Sequence, residues 1–393
     1  MKFNKIYIIT DASIPIGFAP TNRILSYAKG FKKNGVDCEI IIFRKAGKNT
    51  KNSNNKGDYQ GINFQYLYKD IIKSSCFFKR RWDNFIGLIR LFLFAIKSID
   101  KDVVVIYYSS FTRYALLLKI AKVFKRFLLL KEESEHPSVR LKSKNIVSVL
   151  FFPKFHYQLF DGVLVMTKKL KSTLKEIVVK TPLAIIPMTV DIERFDRSII
   201  SNDTLRFITY IGSLNNKKDG VLLLIDAFIK YKKENQDRIS KLKICGYASN
   251  IDEKQELLNR IEKYGLESEI VFKENVSNIE IPNVLLNSKA LILPRPKSKQ
   301  AENGFPTKLG EYLASAIPVI VTKVGEIPNY LTHKKNAYLI EPDDINEIKK
   351  GLEYVLYNSK QSHRMGQEGR KIALQYFNNI KQTKKIIKFI EGF

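Results

Sequence analysis

The sequence predicts an α/β protein made of two successive domains, each built on a mostly parallel sheet. Short β-branched runs alternate with helical stretches of apolar period, and this alternation begins afresh after a polar break at residues 196–204. With 393 residues and 45% hydrophobic content, the chain has enough apolar material for two cores.

KIYIIT (5–10) is an apolar strand, the loop bearing Gly17 runs into a helix ending near Gly35, and VDCEIIIF is a second strand. That order makes a parallel unit, and a glycine in its first turn lets a ligand approach the backbone, although no GxGxxG surrounds Gly17. Residues 44–61 are polar and read as a loop, followed by the strand INFQYLY. From 76 to 99, Lys79, Arg80, Arg81 and Arg90 are mixed with Phe77, Phe78, Trp82 and Phe85 on one amphipathic helix. Such a helix suits either its own sheet or an anionic membrane surface, and Arg90 interrupts a run already too short to span a bilayer. DVVVIYYSS is a strand, RYALLLKIAKVFK a helix, and RFLLLKEESEHP a strand with a charged end. Glu132, Glu133, Glu135 and His136 are therefore expected beyond that strand, where open sheets place ligands. FDGVLVMT and PLAIIPM are short strands around the helix KKLKSTLKEIV.

The first domain is expected over 1–195 and the second over 205–365. The second repeats the scheme: RFITYIGSL, KLKICGY, EIVFKEN, ALILPRP, IPVIVT and AYLIEP are strands with helices between them. Residues 343–393 read as wholly helical, and the basic last segment, 366–393, is long enough to pack back toward the first domain.

The stretch 302–322, ENGFPTKLGEYLASAIPVIVT, reads as loop, short helix and strand. Gly304 and Pro306 break regular structure, Thr307 is placed to cap, and Glu311 falls in the first turns. A helix start carrying Lys308 favours an anion such as a nucleoside diphosphate, through amides and dipole together. A carboxylate just inside accepts the two hydroxyl protons of a ribose. The bland alternative is a capped helix before a buried strand. Lys217, Lys218 and Arg295 flank other strand ends of this half, where fixed positive charge stabilises a diphosphate leaving group without a metal.

Net charge is +28, unevenly spread: +20 over 1–195 and +8 over 196–393. Such an excess attracts phosphorylated ligands, anionic lipid or nucleic acid. No recognition-helix motif or RNP-like aromatic set accompanies it, so a nucleic-acid partner is not expected. Three scattered cysteines fit a reducing compartment, and MKFNKIYIITD has too short an apolar run for a signal peptide, which suggests a cytoplasmic protein. No GxSxG, Walker A or HExxH pattern occurs, and no cofactor or metal is implied.

YIGSLNNKKDGVLLLIDAF, LKICGYA, IVFKENVS, ALILPRP, the 302–322 stretch and AYLIEPDD, preceded by IPMTVDIERF, closely resemble the second domain of GT-B retaining glycosyltransferases of family 4. The first half resembles that family in layout only. The resemblance implies two Rossmann-like domains facing across a cleft, and metal-independent transfer of a sugar from a nucleotide-sugar donor. The basic first half is expected to meet a lipid-linked glycan acceptor at the inner membrane face, as a peripheral contact, which points to bacterial surface polysaccharide synthesis. Carried over by position, Glu311 matches the glutamate that binds the donor ribose, Lys218 the lysine on the diphosphate, and Gly17 the first-domain glycine loop near that diphosphate. His136 lies about where the family keeps a residue beside the transferring sugar. Two positions depart from the pattern. Asn303 stands for the first glutamate of the pair, with Glu302 one residue off register, and Ser213 stands for the usual arginine. Arg295 or Lys308 is expected to supply the missing charge, and Asn303 to bond sugar hydroxyls. Lys79, Arg80, Arg81, Trp82 and Glu135 are assigned to the acceptor or membrane side. A non-catalytic protein of this fold, binding a nucleotide sugar or a partner transferase, is the alternative.

Overall fold

The structure, a computed structural model, describes residues 3–47, 52–135, 154–178, 180–196, 207–235, 240–247, 251–274 and 276–393, apart from the side chain of Lys217. It divides into two compact units, Met1–Asp191 with Asn379–Phe393, and Ile192–Asn378. Residues 366–378 thus stay with the second unit, and the last helix belongs to the first.

Among the described residues the first unit holds eight strands, in the order β3-β4-β2-β1-β5-β6-β7-β8. They are β1 (Lys5–Thr10), β2 (Asp37–Ile42), β3 (Lys56–Tyr59), β4 (Ile62–Tyr66), β5 (Val103–Tyr108), β6 (Leu128–Glu133), β7 (Gly162–Val165) and β8 (Leu183–Ile185). All pairs are parallel except β3 with β4. Both faces are covered, which is why β5 reads VVVIYY with every residue buried. Ile6 and Ile8 face α1 (Ala19–Lys33) and the final helix, while Tyr7 and Ile9 face α2 (Phe77–Ser98) and α3 (Thr112–Phe124). A further helix, α4 (Lys168–Ile177), packs beside β7 and β8, its amino end capped by the Thr167 hydroxyl.

Two expectations are corrected in this unit. The polar segment 44–61, read as a loop, supplies β3 at the sheet edge, where a KGDY strand needs no apolar face. Glu132 and Glu133 do not lie beyond a strand: β6 runs through them and both are buried. Glu132 accepts from Arg23 Nε at 2.7 Å, and Lys131 lies 3.3 Å from Glu133. Arg23 also donates to the carbonyls of Ile186 and Pro187 at 3.0 Å. Buried ions persist only when paired and hydrogen-bonded in this way, so these carboxylates build the fold.

Among the described residues the second unit has six parallel strands, in the order β11-β10-β9-β12-β13-β14. They are β9 (Phe207–Ser213), β10 (Lys241–Tyr247), β11 (Ile270–Glu274), β12 (Ala290–Leu293), β13 (Val319–Thr322) and β14 (Tyr338–Ile340). The helices between them are α5 (Asn216–Asp219), α6 (Val221–Asn235), α7 (Ile251–Lys263), α8 (Ile281–Leu286), α9 (Lys299–Asn303), α10 (Thr307–Ala314) and α11 (Ile327–Tyr330). Next come α12 (Ile345–Tyr357), α13 (Ser359–Ile372) and a π turn at Ala373–Phe377 before α14 (Asn379–Glu391), which packs on α1.

Candidate functional site

In the second unit, β9 leads to β10 and β11 on one side of the sheet, and β12 leads to β13 and β14 on the other. The neighbours β9 and β12 are therefore the topological switch point, where loops leave in opposite directions and open a crevice at the strand ends. Ser213 ends β9, and Arg295 follows β12 by two residues.

From Ser213 the chain turns at once. The Ser213 hydroxyl accepts from the Asn215 amide at 3.2 Å, and Asn215 Oδ1 caps α5 by accepting from Lys218 N at 3.0 Å. Asn215 Nδ2 donates to Glu253 at 2.7 Å, which ties the turn to α7. Gly220 then takes a left-handed φ of 70°, and a Cβ there would stand 2.1 Å from the Pro294 carbonyl oxygen. Only glycine lets the Lys218 turn press against the segment that carries Arg295. Gly220→Ala should lower stability by roughly 2–5 kcal/mol, from left-handed strain plus overpacking, as read by denaturant titration of the full chain.

Lys308, the second residue of α10, reaches back to this turn. Its ammonium donates to Asp219 Oδ2 at 3.0 Å and to the Tyr210 hydroxyl at 3.1 Å, and lies 4.8 Å from the centroid of the Tyr210 ring. A Cβ on Gly212 would come within 1.9 Å of that nitrogen, so Gly212 makes the space the ammonium fills. Burial pushes the Lys308 pKa down and the Asp219 carboxylate opposes this, while the positive charges of Lys218 and Arg295 push it further down. The three cations therefore share one field. Asp219, 2% exposed, answers the charge of Lys308.

Glu311 stands three residues after Lys308 and so shares its helix face. Its Oε1 accepts from Arg194 Nη1 at 2.6 Å, and Arg194 Nη2 donates to the Asn278 carbonyl and side-chain oxygens at 2.5 and 3.0 Å. Arg194 comes from a single 3₁₀ turn, Ile192–Phe195, seated by its buried Ile192 and Phe195. The carboxylate is thus held in one orientation at the rim of α10. No side chain caps α10: Pro306 occupies the cap position and Thr307 lies inside the helix, contrary to the capping role expected of Thr307. The segment before it is also corrected, since Glu302 and Asn303 belong to α9 and not to a loop. Asn303 is 9% exposed, and its Nδ2 donates to Lys299 O at 2.8 Å on its own helix.

The structure thus brings Ser213, Lys218, Arg295, Lys308 and Glu311 to one end of one sheet. Arg194 and Asp219 were not singled out from the sequence. Both had a signal, an arginine between buried apolar residues in VDIERF and an acid directly after two lysines in NNKKDG. In the first unit, Gly17 lies in the loop after β1, where a Cβ would come within 2.2 Å of Thr21 Oγ1. That loop is pinned by Tyr66 OH, which accepts from the Ile14 amide at 3.0 Å, and by Asn52 Oδ1, which accepts from the Ile16 amide at 2.9 Å. Glu135 is half-buried just past β6, and His136 lies outside the described residues. Lys79, Arg80, Arg81 and Trp82 are exposed on α2. Among the described residues no group of three or more His, Cys, Asp or Glu side chains is placed to hold a metal ion.

Residues 191–372 match the family model described as glycosyl transferases group 1. Over the whole chain the fold is similar to that of sucrose-phosphate synthase from Thermosynechococcus elongatus, at 12% identity and a TM-score of 0.74, covering 99% of this chain and 98% of that one. HepE from Anabaena, solved with UDP and glucose, gives 15% identity and a TM-score of 0.72 over 99% and 100% of the two chains. TarM from S. aureus, solved with Fondaparinux, α-GlcNAc-glycerol and UDP, gives 12% and 0.71 over 98% and 99%. Comparison with curated protein sequences finds no match. The fold class is therefore GT-B, two Rossmann-like parallel-sheet units in one chain.

Proposed function

We propose that this protein is a retaining glycosyltransferase that takes its sugar from a nucleoside-diphosphate donor. One observation carries the reading: at the switch point of the unit that matches glycosyl transferases group 1, a fixed carboxylate, Glu311, lies one helical turn from a cation cluster. Glu311 accepts the ribose hydroxyls, and Lys218 and Arg295 receive the diphosphate. Lys308, held by Asp219, sets the field behind them. Asn303, closing α9, lies just before the α10 amino terminus and is assigned to the sugar hydroxyls. Ser213 gives a compact turn where an arginine would add charge, and Arg295 supplies that charge from the adjacent strand end.

In the proposed reaction the bond between the anomeric carbon and the diphosphate oxygen breaks, and the acceptor oxygen bonds that carbon on the same face. The acceptor's proton passes to the departing phosphate oxygen, so no protein nucleophile takes part. Charge develops on the leaving diphosphate, where the lysine and arginine side chains supply the neutralisation. The acceptor is assigned to the first unit, with Glu135 as its candidate contact. A lipid-linked glycan of a bacterial surface polysaccharide is the acceptor class proposed.

Thermal melting against UDP-, GDP-, ADP- and CMP-sugars tests the donor half of this reading. A donor at a hundred times its Kd adds roughly 2.7 kcal/mol and raises Tm by several degrees. The complexes of HepE and TarM with UDP make the UDP-sugars the first to try. Release of nucleoside diphosphate, with or without acceptor, then separates an enzyme from a protein that only binds. A chain that neither shifts nor releases product with any donor overturns the proposal.

A further inference from the structure

The face of the first sheet opposite α1 and α14 is covered by α2 and α3, which turn Leu91 and Ala95, and Tyr114 and Leu118, onto the strands. Their outer surfaces are apolar as well. On α2, Phe78, Trp82, Phe85, Ile89 and Leu93 follow at intervals of four, three, four and four residues, which is one face of a helix, and all are exposed. Phe78 is 81% exposed and Trp82 62%. On α3, Leu116, Ile120, Val123 and Phe124 repeat the pattern, with Val123 81% and Phe124 68% exposed. Single exposed apolar residues are ordinary, but neighbouring helices that each carry a full outward stripe mark an interaction surface.

Charge decides what that surface meets. The two helices hold eight basic residues and one acid, Asp83, which lies 3.4 Å from Lys45. Lys79, Arg80 and Arg81 sit together at the amino end of α2, beside the most exposed aromatics of that helix. A second copy of this face would bring like charge against like. An anionic bilayer accepts both chemistries: rings and branched chains enter at the level of the upper acyl chains, and the cations stay among the headgroup phosphates. Among the described residues no helix is long and apolar enough to cross a membrane.

We propose that the outer face of α2 and α3 docks this protein onto an anionic lipid bilayer, with Trp82 at the interface and the Lys79–Arg81 cluster on the lipid phosphates. This does not rest on sugar transfer, and its test reads no catalysis. Trp82 is the only tryptophan in the chain, so its fluorescence reports on this surface alone. Adding vesicles of phosphatidylcholine mixed with phosphatidylglycerol should shift its emission to the blue and carry the protein down with the vesicles. Lipids brominated in the upper acyl chain should quench it. Replacing Lys79, Arg80 and Arg81 together by glutamine should lower the partition coefficient roughly a hundredfold. All three side chains are exposed, so an unchanged melting temperature confirms that docking and not folding was altered. Emission and sedimentation that ignore anionic vesicles at low salt would overturn the proposal. So would full binding by the glutamine variant, or a blue shift that needs no vesicles and grows with protein concentration, which would assign the face to a second copy of the chain.

Discussion

Glu311→Ala is expected to abolish the donor-induced rise in Tm while leaving the melting temperature without donor nearly unchanged. The ribose offers two neighbouring hydroxyls, and a hydrogen bond to a charged group contributes about 1.5–3 kcal/mol, so losing both weakens donor binding at least about a hundredfold. The fold tolerates the change because Glu311 is at the rim, 13% exposed, and Arg194 keeps its two bonds to Asn278. Glu311→Gln sharpens the test. It retains the size and one oxygen for Arg194 but not the charge, and should cost roughly tenfold. Arg194→Ala leaves the carboxylate in place but unsteered, so donor affinity should fall less than in Glu311→Ala. If Glu311→Ala shifts with donor as the parent chain does, the ribose lies elsewhere.

The sheet strands were legible because parallel strands covered on both faces must be continuous apolar runs, as in VVVIYY, ALIL and VIVT. The KGDY edge strand was not, since an edge pair against INFQY needs only backbone bonds and leaves no apolar period. Glu132 and Glu133 misled for a related reason: a carboxylate signals a ligand loop in sequence, and only the fold reveals Arg23 and Lys131 beside them. Around the site, Lys308 and Glu311 could be placed because helix spacing fixes one against the other. What spacing cannot show is the partner set. Asp219 answers Lys308 across 89 residues of sequence and Arg194 answers Glu311 across 117, and pairs so distant carry no local pattern. Whether a cation is free for a ligand depends on such pairs. This sets Lys308, held by Asp219, apart from Lys218 in the cluster.

That division predicts unequal consequences within the cluster. Lys218→Ala should lower kcat roughly a hundredfold, with a smaller change in KM, because charge on the bridging oxygen appears only as the sugar–oxygen bond breaks. Lys218→Arg should recover part of the loss, since the charge returns with a different reach. Asp219→Asn acts in the opposite sense on binding. It releases the Lys308 ammonium and raises the positive potential, so at a pH where Lys308 stays protonated a nucleoside diphosphate should bind more tightly, although the buried turn loses its ion pair and melts earlier and the alkaline limit of binding moves to lower pH. The pH dependence supplies a second readout. Donor binds best to charged Lys308, whose pKa is depressed by burial and by its cationic neighbours, so affinity should fall as pH rises through that depressed value. Removing the Lys218 charge relieves part of the depression and should move this alkaline limb to higher pH. A Lys218→Ala enzyme with intact kcat, or with an alkaline limb that does not move, would show that Lys218 lies outside the field that receives the leaving diphosphate.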